Sequence, residues 1–152
     1  MHDVSLAALD PRARLAALAD PDSLAPDPPA GASPDLARFG ISPHADDGVV
    51  TGRATIDGRE VLVAAQDERF LRGAVGAIHG KTLAALAARA IVERPAAVIL
   101  VLASGGVRLH EANAAELALA RALRAMVDAR AADVPVLAIA AGDVFGGASV
   151  LA

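Results

Sequence analysis

The chain has no cysteine, no tryptophan and no tyrosine, and only three phenylalanines among its 152 residues. Without cysteine it can form neither disulfides nor thiolate nucleophiles nor cysteine-based zinc sites. Nothing in the sequence therefore requires an oxidising compartment, and we expect a cytoplasmic protein. So few aromatic rings leave little surface on which nucleobases could stack, and we do not expect nucleic acid as a partner.

Blocks of like charge and long apolar runs are also missing. The formal net charge is -4, without a basic stripe or an acidic tail that would indicate a charged partner. The N-terminal residues lack the continuous apolar stretch of a signal peptide. The longest apolar runs, such as residues 96–103, are too short to cross a bilayer. We therefore expect a soluble protein with no membrane partner.

Composition divides the chain into two parts. Residues 1–44 contain seven of the nine prolines, and only Arg12 to Ala19 could form two helical turns before Asp20-Pro21. We interpret 1–44 as an N-terminal helix and a proline-rich linker outside the core. Residues 45–152 are the predicted folded domain.

Residues 45–152 alternate between patterns typical of strands and patterns typical of helices. Asp57-Gly58 predicts a β-hairpin, because both positions of its two-residue turn need positive φ. Apolar residues at helical spacing predict helices over 81–92 and 112–126. Continuous β-prone runs at 96–102 and 134–140 predict strands that are buried on both faces. Two successive strand, glycine turn and helix units indicate an α/β fold with crossover connections.

Both predicted buried strands lead into glycine pairs, at Gly105-Gly106 and at Gly146-Gly147. A turn without side chains exposes backbone N–H groups, and a helix that begins there adds the positive end of its dipole. Two such donors in a dry site would stabilise the negative charge that develops on a thioester oxygen, because they are already oriented. Gly106 and Gly147 are the candidate pair. Glycines after strands also simply permit tight turns, and spacing alone leaves both interpretations open.

A more specific pattern surrounds the first turn. Ser104-Gly105-Gly106-x-Arg108-x-x-Glu111 resembles the signature of carboxyltransferase beta subunits in the crotonase superfamily. The version that continues as Glu111-Ala112-Asn113 is similar to malonate decarboxylase beta subunits. Further matches follow in chain order at 13–21, 46–50, 66–70, 73–79 and 134–147.

The resemblance implies a crotonase-like α/β fold of the ClpP/crotonase type and the activity of a biotin-independent malonate decarboxylase. In that family an acyl carrier protein with a coenzyme-A-like prosthetic group presents a malonyl thioester to paired beta and gamma subunits. Loss of carbon dioxide then leaves an acetyl thioester. The gamma subunit and the carrier protein are therefore the expected partners. The chain itself is expected to hold no covalently bound cofactor and no metal.

Ten residues make up the candidate site. Four glycines would hold the thioester oxygen: Gly105, Gly106, Gly146 and Gly147. The candidate substrate-binding residues are Ser104, Arg108, Glu111, Gly73, Gly76 and His79. Arg108 and Glu111 could instead pair with each other on the first turns of the helix, and a single histidine near a helix start is often structural. The sequence identifies no proton donor to the enolate.

The chain also departs from the family pattern. Family members run well past the second glycine turn, so the chain is expected to correspond to a fold truncated there, about the first half of a subunit. Leu71-Arg72 stands where related loops are rich in glycine. Two other functions stay open. One is the beta half of a biotin-dependent acyl-CoA carboxyltransferase, which shares the turn signature, and the other is a non-catalytic assembly module that docks the gamma subunit.

Three weaker motifs do not support other chemistries. Gly80-Lys81-Thr82 resembles the end of a phosphate-binding loop, but Val75 stands where its first glycine belongs and no strand directly precedes it. His110-Glu111 begins like a zinc motif whose second histidine would be Ala114. Ser104 and Ser149 lack the full glycine frame of a nucleophile elbow. We therefore predict neither nucleotide hydrolysis, nor a zinc site, nor serine hydrolase activity.

Overall fold

The computed structural model describes residues 5–152, which form a five-stranded mixed sheet with helices on both faces. The strands are β1 (Ala25–Pro26), β2 (Val49–Ile56), β3 (Arg59–Gln66), β4 (Ala97–Ser104) and β5 (Val136–Val144). The helices are α1 (Pro11–Leu18), α2 (Ala77–Glu93) and α3 (Ala112–Ala131). Short 3-10 turns lie at Leu6–Ala8, Leu36–Phe39, Leu71–Gly73, Leu109–Glu111 and Gly146–Leu151.

The strands lie side by side in chain order, from β1 to β5. The β1–β2 and β2–β3 pairs are antiparallel, whereas β3–β4 and β4–β5 are parallel. Parallel neighbours require crossover connections, and α2 and α3 supply them. The predicted α/β fold with two strand, turn and helix units is therefore confirmed.

The hairpin between β2 and β3 forms where the sequence predicted it. Ile56 pairs with Arg59 across the two-residue turn, and Asp57 and Gly58 have φ values of 50° and 72°. Positive φ at both turn positions matches the twist of the flanking strands. This turn sets the register of both strands, up to the pairing of Val49 with Gln66.

Alternation along β3 and β4 builds two cores, one on each face of the sheet. One face carries side chains such as Leu62 and Leu100 and packs against α2 and α3. The other face carries side chains such as Val63 and Ile99 and packs against Leu15 of α1. All eight residues of β4 are buried, which confirms the prediction of a strand covered on both faces.

The head segment contributes to the core, so the prediction that it lies outside the core is wrong. Leu15 is 1% exposed and Leu36 is fully buried. Helix α1 begins after Asp10, whose side chain accepts the N–H of Ala13 at 2.9 Å, and it ends one residue before the predicted end. Proline density correctly indicated little regular structure, but Leu15 joins the core on one face of the sheet and β1 pairs with β2. Residues 1–4 of the predicted head lie outside the described residues, and the boundary at residue 44 remains a prediction.

Strand β5 differs from the prediction of a strand buried on both faces. It is an edge strand of the described sheet, and Leu137 is 54% exposed. Its apolar sequence resembles that of β4, but only Val136 and Ala141 of its nine residues are buried. Hydrophobicity indicates strand formation, whereas burial depends on which segments cover each face of the strand.

Candidate functional site

The two glycine turns lie together at the carboxyl ends of β4 and β5. Because these strands are parallel, Ser104 pairs with Val144, and the N–H of Phe145 donates to the Ser104 carbonyl at 2.8 Å. A Cβ added at Gly106 would lie 3.4 Å from the Phe145 carbonyl oxygen and 3.7 Å from the Gly146 Cα. The backbones of the two turns are therefore nearly in contact, as a shared oxygen site requires.

Two of the four candidate amides already have acceptors. The N–H of Gly105 donates to the Arg72 carbonyl at 2.7 Å, and the N–H of Gly106 donates to the Ser104 hydroxyl oxygen at 3.2 Å. In this conformation neither amide is aimed at a substrate oxygen. Gly146 and Gly147 open a 3-10 helix, whose first amides have no acceptor inside the helix. The second turn is therefore the better-placed donor, and Gly106 could join it only if the Ser104 hydroxyl released its amide.

Gly147 is partly buried, and core side chains lie where a Cβ would point. A Cβ added there would lie 2.7 Å from a Leu119 side-chain carbon and 3.2 Å from a Val107 methyl carbon. A larger residue at this position would first disturb the packing between α3 and the turn. The backbone of Gly147, not the space beside its Cα, is what this position offers to a substrate.

Arg108 forms the centre of a buried charge cluster. Its Nη1 lies 2.7 Å from Asp47 Oδ1 and 2.7 Å from Glu111 Oε1, and all three side chains are 1% exposed or less. The guanidinium also donates to the carbonyls of Asp47 and Ala74 and stacks over the Phe70 ring at 5.2 Å. Burial raises the pKa of Asp47, while its hydrogen bond to Arg108 opposes that shift. The predicted Arg108–Glu111 pair is confirmed, and Asp47 is a third member.

The same carboxylates hold the start of α2. Glu111 Oε2 accepts the N–H of Ala77 at 2.7 Å, and Asp47 Oδ2 accepts the N–H of His79 at 2.9 Å. Amides at a helix N-terminus have no acceptor in the helix, and carboxylates also favour the positive end of its dipole. Gly76 leaves room for this arrangement, since a Cβ there would lie 2.2 Å from Arg108 Nη1. Helix α2 consequently begins at Ala77, four residues before the predicted start at Lys81.

His79 is completely buried and pairs with Gln66. The Gln66 side-chain oxygen accepts the N–H of Ala103 at 3.1 Å, so its Nε2 donates to His79 Nε2 at 3.2 Å. This assigns the neutral His79 tautomer with its proton on Nδ1. Burial, together with the nearby positive charge of Arg108, lowers the pKa of His79 to about 3. His79 therefore does not face a cavity, contrary to its expected role in substrate binding.

Two open cavities meet beside the first glycine turn, and both are lined by Arg72 and Gly105. The mixed-charge cavity, of about 220 Å³, is also lined by Glu68, Ser104, Asp143 and Phe145. The basic cavity, of about 280 Å³, has Arg72, Arg108 and His110 as its ionisable lining residues, and the others are apolar or glycine. The region next to the turns is therefore the place where a small acyl group would fit.

The ten predicted site residues divide into two groups by position. Ser104 and Gly105 line a cavity, Gly106, Gly146 and Gly147 form the adjoining turns, and Arg108 reaches a cavity wall. Gly73, Gly76, His79 and Glu111 lie beneath the turns as support. At Gly73 the loop before α2 lies very close to β4, because an added Cβ would lie 1.9 Å from the Ala103 carbonyl oxygen.

Sequence reasoning missed three residues of this region. Asp47 and Gln66 are buried polar residues that stand beside β-prone runs, and buried polar side chains need partners. A polar residue beside a β-prone run could therefore have been predicted to be buried and hydrogen-bonded, but its partner could not have been predicted. Arg72 was noted only as a departure from a glycine-rich loop, although a basic residue so close to a glycine turn is a candidate anion contact.

The motifs that resemble a phosphate-binding loop and a zinc site form neither of these sites in the described residues. Gly80 and Lys81 lie inside α2, where the N–H of Gly80 donates to the Gly76 carbonyl, so they form no phosphate-cradling loop. Within residues 5–152 no group of three or more histidine or acidic side chains is arranged to hold a metal ion. None of the helices described is both long and apolar enough to span a bilayer.

Comparison with known proteins relates this arrangement to a family. The carboxyl transferase domain model matches residues 9–152. The acetyl-coenzyme A carboxylase carboxyl transferase subunit beta of Gloeobacter violaceus is 40% identical over 84 residues, which are 55% of this chain and 27% of that protein. The malonyl-S-ACP:biotin-protein carboxyltransferase of Malonomonas rubra is 33% identical over 136 residues, which cover 79% of this chain and 42% of that protein.

Solved structures agree with the sequence comparison. A chain of a Pseudomonas malonate decarboxylase hetero-tetramer in complex with malonate has a TM-score of 0.90 and 37% identity, with 98% of this chain and 57% of that chain covered. Transcarboxylase 12S has a TM-score of 0.82 and 30% identity, covering 95% of this chain and 28% of that chain. The predicted crotonase-like fold is confirmed, and the chain spans 57% or less of the length of each of these four relatives.

Proposed function

The chain belongs to the carboxyl transferase family, and from that premise we propose that it is a malonate decarboxylase beta subunit that binds a malonyl thioester at its two glycine turns. The near contact of the turns at Gly106 and Gly146 is the observation that carries the proposal. The fit to a Pseudomonas malonate decarboxylase chain over 98% of this chain supports the same choice. The gamma subunit and a malonyl-loaded acyl carrier protein are the proposed partners.

Decarboxylation of a malonyl thioester requires an acceptor for the electron pair of the bond that breaks. The bond between the carboxylate carbon and the α-carbon breaks, carbon dioxide leaves, and the electron pair remains as an enolate whose charge lies largely on the thioester oxygen. The enolate then takes a proton at the α-carbon and becomes an acetyl thioester. Backbone amides at the Gly146-Gly147 turn would stabilise the oxygen charge more than reorganising water can, because they are already oriented.

The residues beneath the first turn would keep it in place beside these amides. The Val75–Val107 bridge joins the segment after the first turn to the residue before the α2 cap. Arg108, Asp47 and Glu111 bind that segment to the start of α2 from inside the protein. In this proposal Arg108 and Glu111 are positioning residues, which replaces their expected role in touching the substrate.

A specific observation also favours a second function. Several sequence relatives are named as acetyl-coenzyme A carboxylase carboxyl transferase subunits, and the Malonomonas rubra relative is named for transfer to a biotin protein. A biotin-dependent carboxyltransferase would form the same enolate, but it would exchange the carboxyl group with biotin. The two functions therefore differ in the acceptor of the carboxyl group and not in the oxygen site.

Isotope release can distinguish the two functions. The chain would be assembled with a gamma subunit and given a carrier protein loaded with carboxyl-labelled malonyl thioester, with and without a biotinylated carrier protein. We expect labelled carbon dioxide to be released equally in both samples. Label that moves to the biotinylated protein, with no release when that protein is left out, would support the biotin-dependent function. A complex that neither releases nor transfers the label would overturn the proposal in favour of an assembly module.

A substitution that fills both cavities tests whether the acyl group binds there. Gly105 has no positive φ and lines both cavities, so Gly105→Leu should occupy the acyl space, with its Cβ in close contact with Arg72. Displacing a substrate from its reacting geometry can lower a rate by about a hundredfold, which is the reduction we expect in carbon dioxide release. Ala85→Leu, on the exposed surface of α2, is the control and should leave release unchanged. Equal rates in the two variants would place the acyl site elsewhere.

A further inference from the structure

Arg72 is the available cation between the two cavities. It lines both of them, whereas the guanidinium of Arg108 is buried and already engaged by Asp47 and Glu111. Among residues 5–152 the ion pairs and side-chain hydrogen bonds of the protein do not include Arg72. A guanidinium without a protein partner beside a cavity is suited to an anionic ligand.

The backbone holds Arg72 in an unusual conformation. Leu71, Arg72 and Gly73 have successive φ values of 49°, 57° and 67°, in the left-handed region that side-chain-bearing residues rarely adopt. The Arg72 carbonyl accepts the N–H of Gly105, and a Cβ added at Gly105 would lie 3.3 Å from the Arg72 Cβ. Tertiary contact therefore maintains a conformation that costs energy locally, and it keeps Arg72 next to the first glycine turn.

We propose that Arg72 binds the free carboxylate of the malonyl group in the basic cavity and so makes the site select malonyl over acetyl thioesters. The proposal rests on the proposed function, because it assumes that the acyl thioester lies at the glycine turns. A carboxylate matches the two parallel N–H donors of a guanidinium, and the acetyl product has no group that could replace it.

The surrounding charges favour the basic cavity over its neighbour. The mixed-charge cavity contains the carboxylates of Glu68 and Asp143, which would repel a second carboxylate. Glu68 is paired with Arg14 at 3.0 Å, while no acidic residue lines the basic cavity. The malonyl carboxylate is therefore best accommodated on the side of Arg72 that faces Ala74, Val107 and Leu109.

This contact should raise the affinity for the substrate and should not speed bond cleavage. As carbon dioxide leaves, the negative charge moves from the carboxylate to the thioester oxygen, so an ion pair with Arg72 is stronger before the transition state than in it. An interaction of this kind lowers KM without raising kcat. It also lets the neutral acetyl group leave, because the product no longer carries the charge that was bound.

Equilibrium binding of the two thioesters, measured independently of turnover, tests the proposal. Malonyl-CoA and acetyl-CoA would be titrated by calorimetry into the chain assembled with the gamma subunit. Arg72→Asn removes the guanidinium but tolerates the left-handed conformation, so the loop is retained. We expect it to weaken malonyl-CoA binding roughly tenfold to a hundredfold, the usual range for a hydrogen bond to a charged group, and to change acetyl-CoA binding by less than about twofold. Arg72→Lys, which keeps the charge but not the fork, should restore part of the loss.

Controls separate this inference from the proposed function. Arg121→Asn removes an equal charge from the exposed face of α3 and should change neither affinity. If Arg72→Asn weakens both thioesters equally, or neither of them, the inference is overturned even when carbon dioxide is released. A preference for malonyl-CoA that disappears in Arg72→Asn supports the inference even if no release is detected, and only the proposed decarboxylation is then overturned. In an active assembly, a fall in kcat at constant KM would also contradict it.

Discussion

Buried polar side chains, taken one at a time, explain how the loops around the turns are held. Arg108 joins Asp47 and Glu111, and the two carboxylates then accept amides of α2. Removing water from such charges is costly, and the cost is offset only when each of them has close partners. The arrangement favours a single position of the α2 start, from which the glycine turns are also held.

His79 makes the stability of the protein depend on pH. The pKa of His79 is lowered to about 3 in the folded chain from an ordinary value of 6.5, mainly by burial. The unfolded chain therefore binds a proton between these values that the folded chain does not, and His79 contributes stability above pH 6.5 that is lost as the pH falls toward 3. We expect the free energy of unfolding of the native chain to fall relative to His79→Gln by up to about 1.4 kcal/mol per pH unit in this window. Urea unfolding from pH 7 to pH 4 measures the difference.

The exposed His110 provides the comparison for that measurement. His110→Gln removes one histidine from the surface and should keep the native pH slope. If His79→Gln and the native chain show the same slope, the folded protein takes up a proton at His79, and the neutral Gln66–His79 pair is contradicted.

Among the secondary-structure elements, the site depends on how closely the segments around β4 can approach each other. Gly73 brings the loop before α2 against the end of β4, where only the absence of a side chain permits contact with the Ala103 carbonyl. Gly80 does the same between the two crossover helices, since a Cβ there would lie 2.7 Å from the Ala118 backbone. These approaches determine the position of the first turn relative to α2 and α3.

Alanine substitutions at Gly58 and Gly73 distinguish two costs in unfolding free energy: that of a left-handed backbone and that of a steric clash. Gly73 and Gly58 have similar φ values of 67° and 72°, but only Gly73 has protein atoms within 4 Å of an added Cβ. Gly58→Ala should cost about 1–2 kcal/mol of unfolding free energy, the usual cost of a left-handed alanine. Gly73→Ala should cost about 1–3 kcal/mol more, because the Ala103 carbonyl must move. Urea unfolding of both variants measures this, and equal losses would mean that the loop relaxes freely away from β4.

For the molecule as a whole, the head segment closes one face of the sheet. Leu15 belongs to the core formed by Val63, Ile99 and their neighbours, and Arg14 donates to the Gln66 carbonyl at the end of β3. The folded unit of the described chain therefore includes part of the region that its prolines suggested was a linker.

Truncating a leucine in the head tests that attachment. Leu15→Ala removes a side chain that is 1% exposed and should lower the unfolding free energy by about 2–5 kcal/mol, through lost burial and the cavity that remains. Leu117→Ala, on α3 and 51% exposed, is the matched control and should change it by less than about 1 kcal/mol. Thermal or urea unfolding measures both changes. Similar small effects would mean that the head is bound too weakly to count as core.

The sequence by itself determined the elements whose signals are local. The Asp57-Gly58 turn, the helical spacing in α2 and α3 and the β-prone run of β4 all act through neighbours along the chain, so they were predictable. The pattern from Ser104 to Glu111 also indicated the family, because those residues are adjacent in sequence.

Only the tertiary structure decided how distant segments meet. Arg108 binds Asp47 across 61 positions, and no local pattern specifies that partner. The early start of α2, the edge position of β5 and the burial of Leu15 likewise depend on which surfaces pack together. Hydrophobic burial and buried ion pairs depend on distance in space, which sequence spacing does not give when the chain folds back on itself.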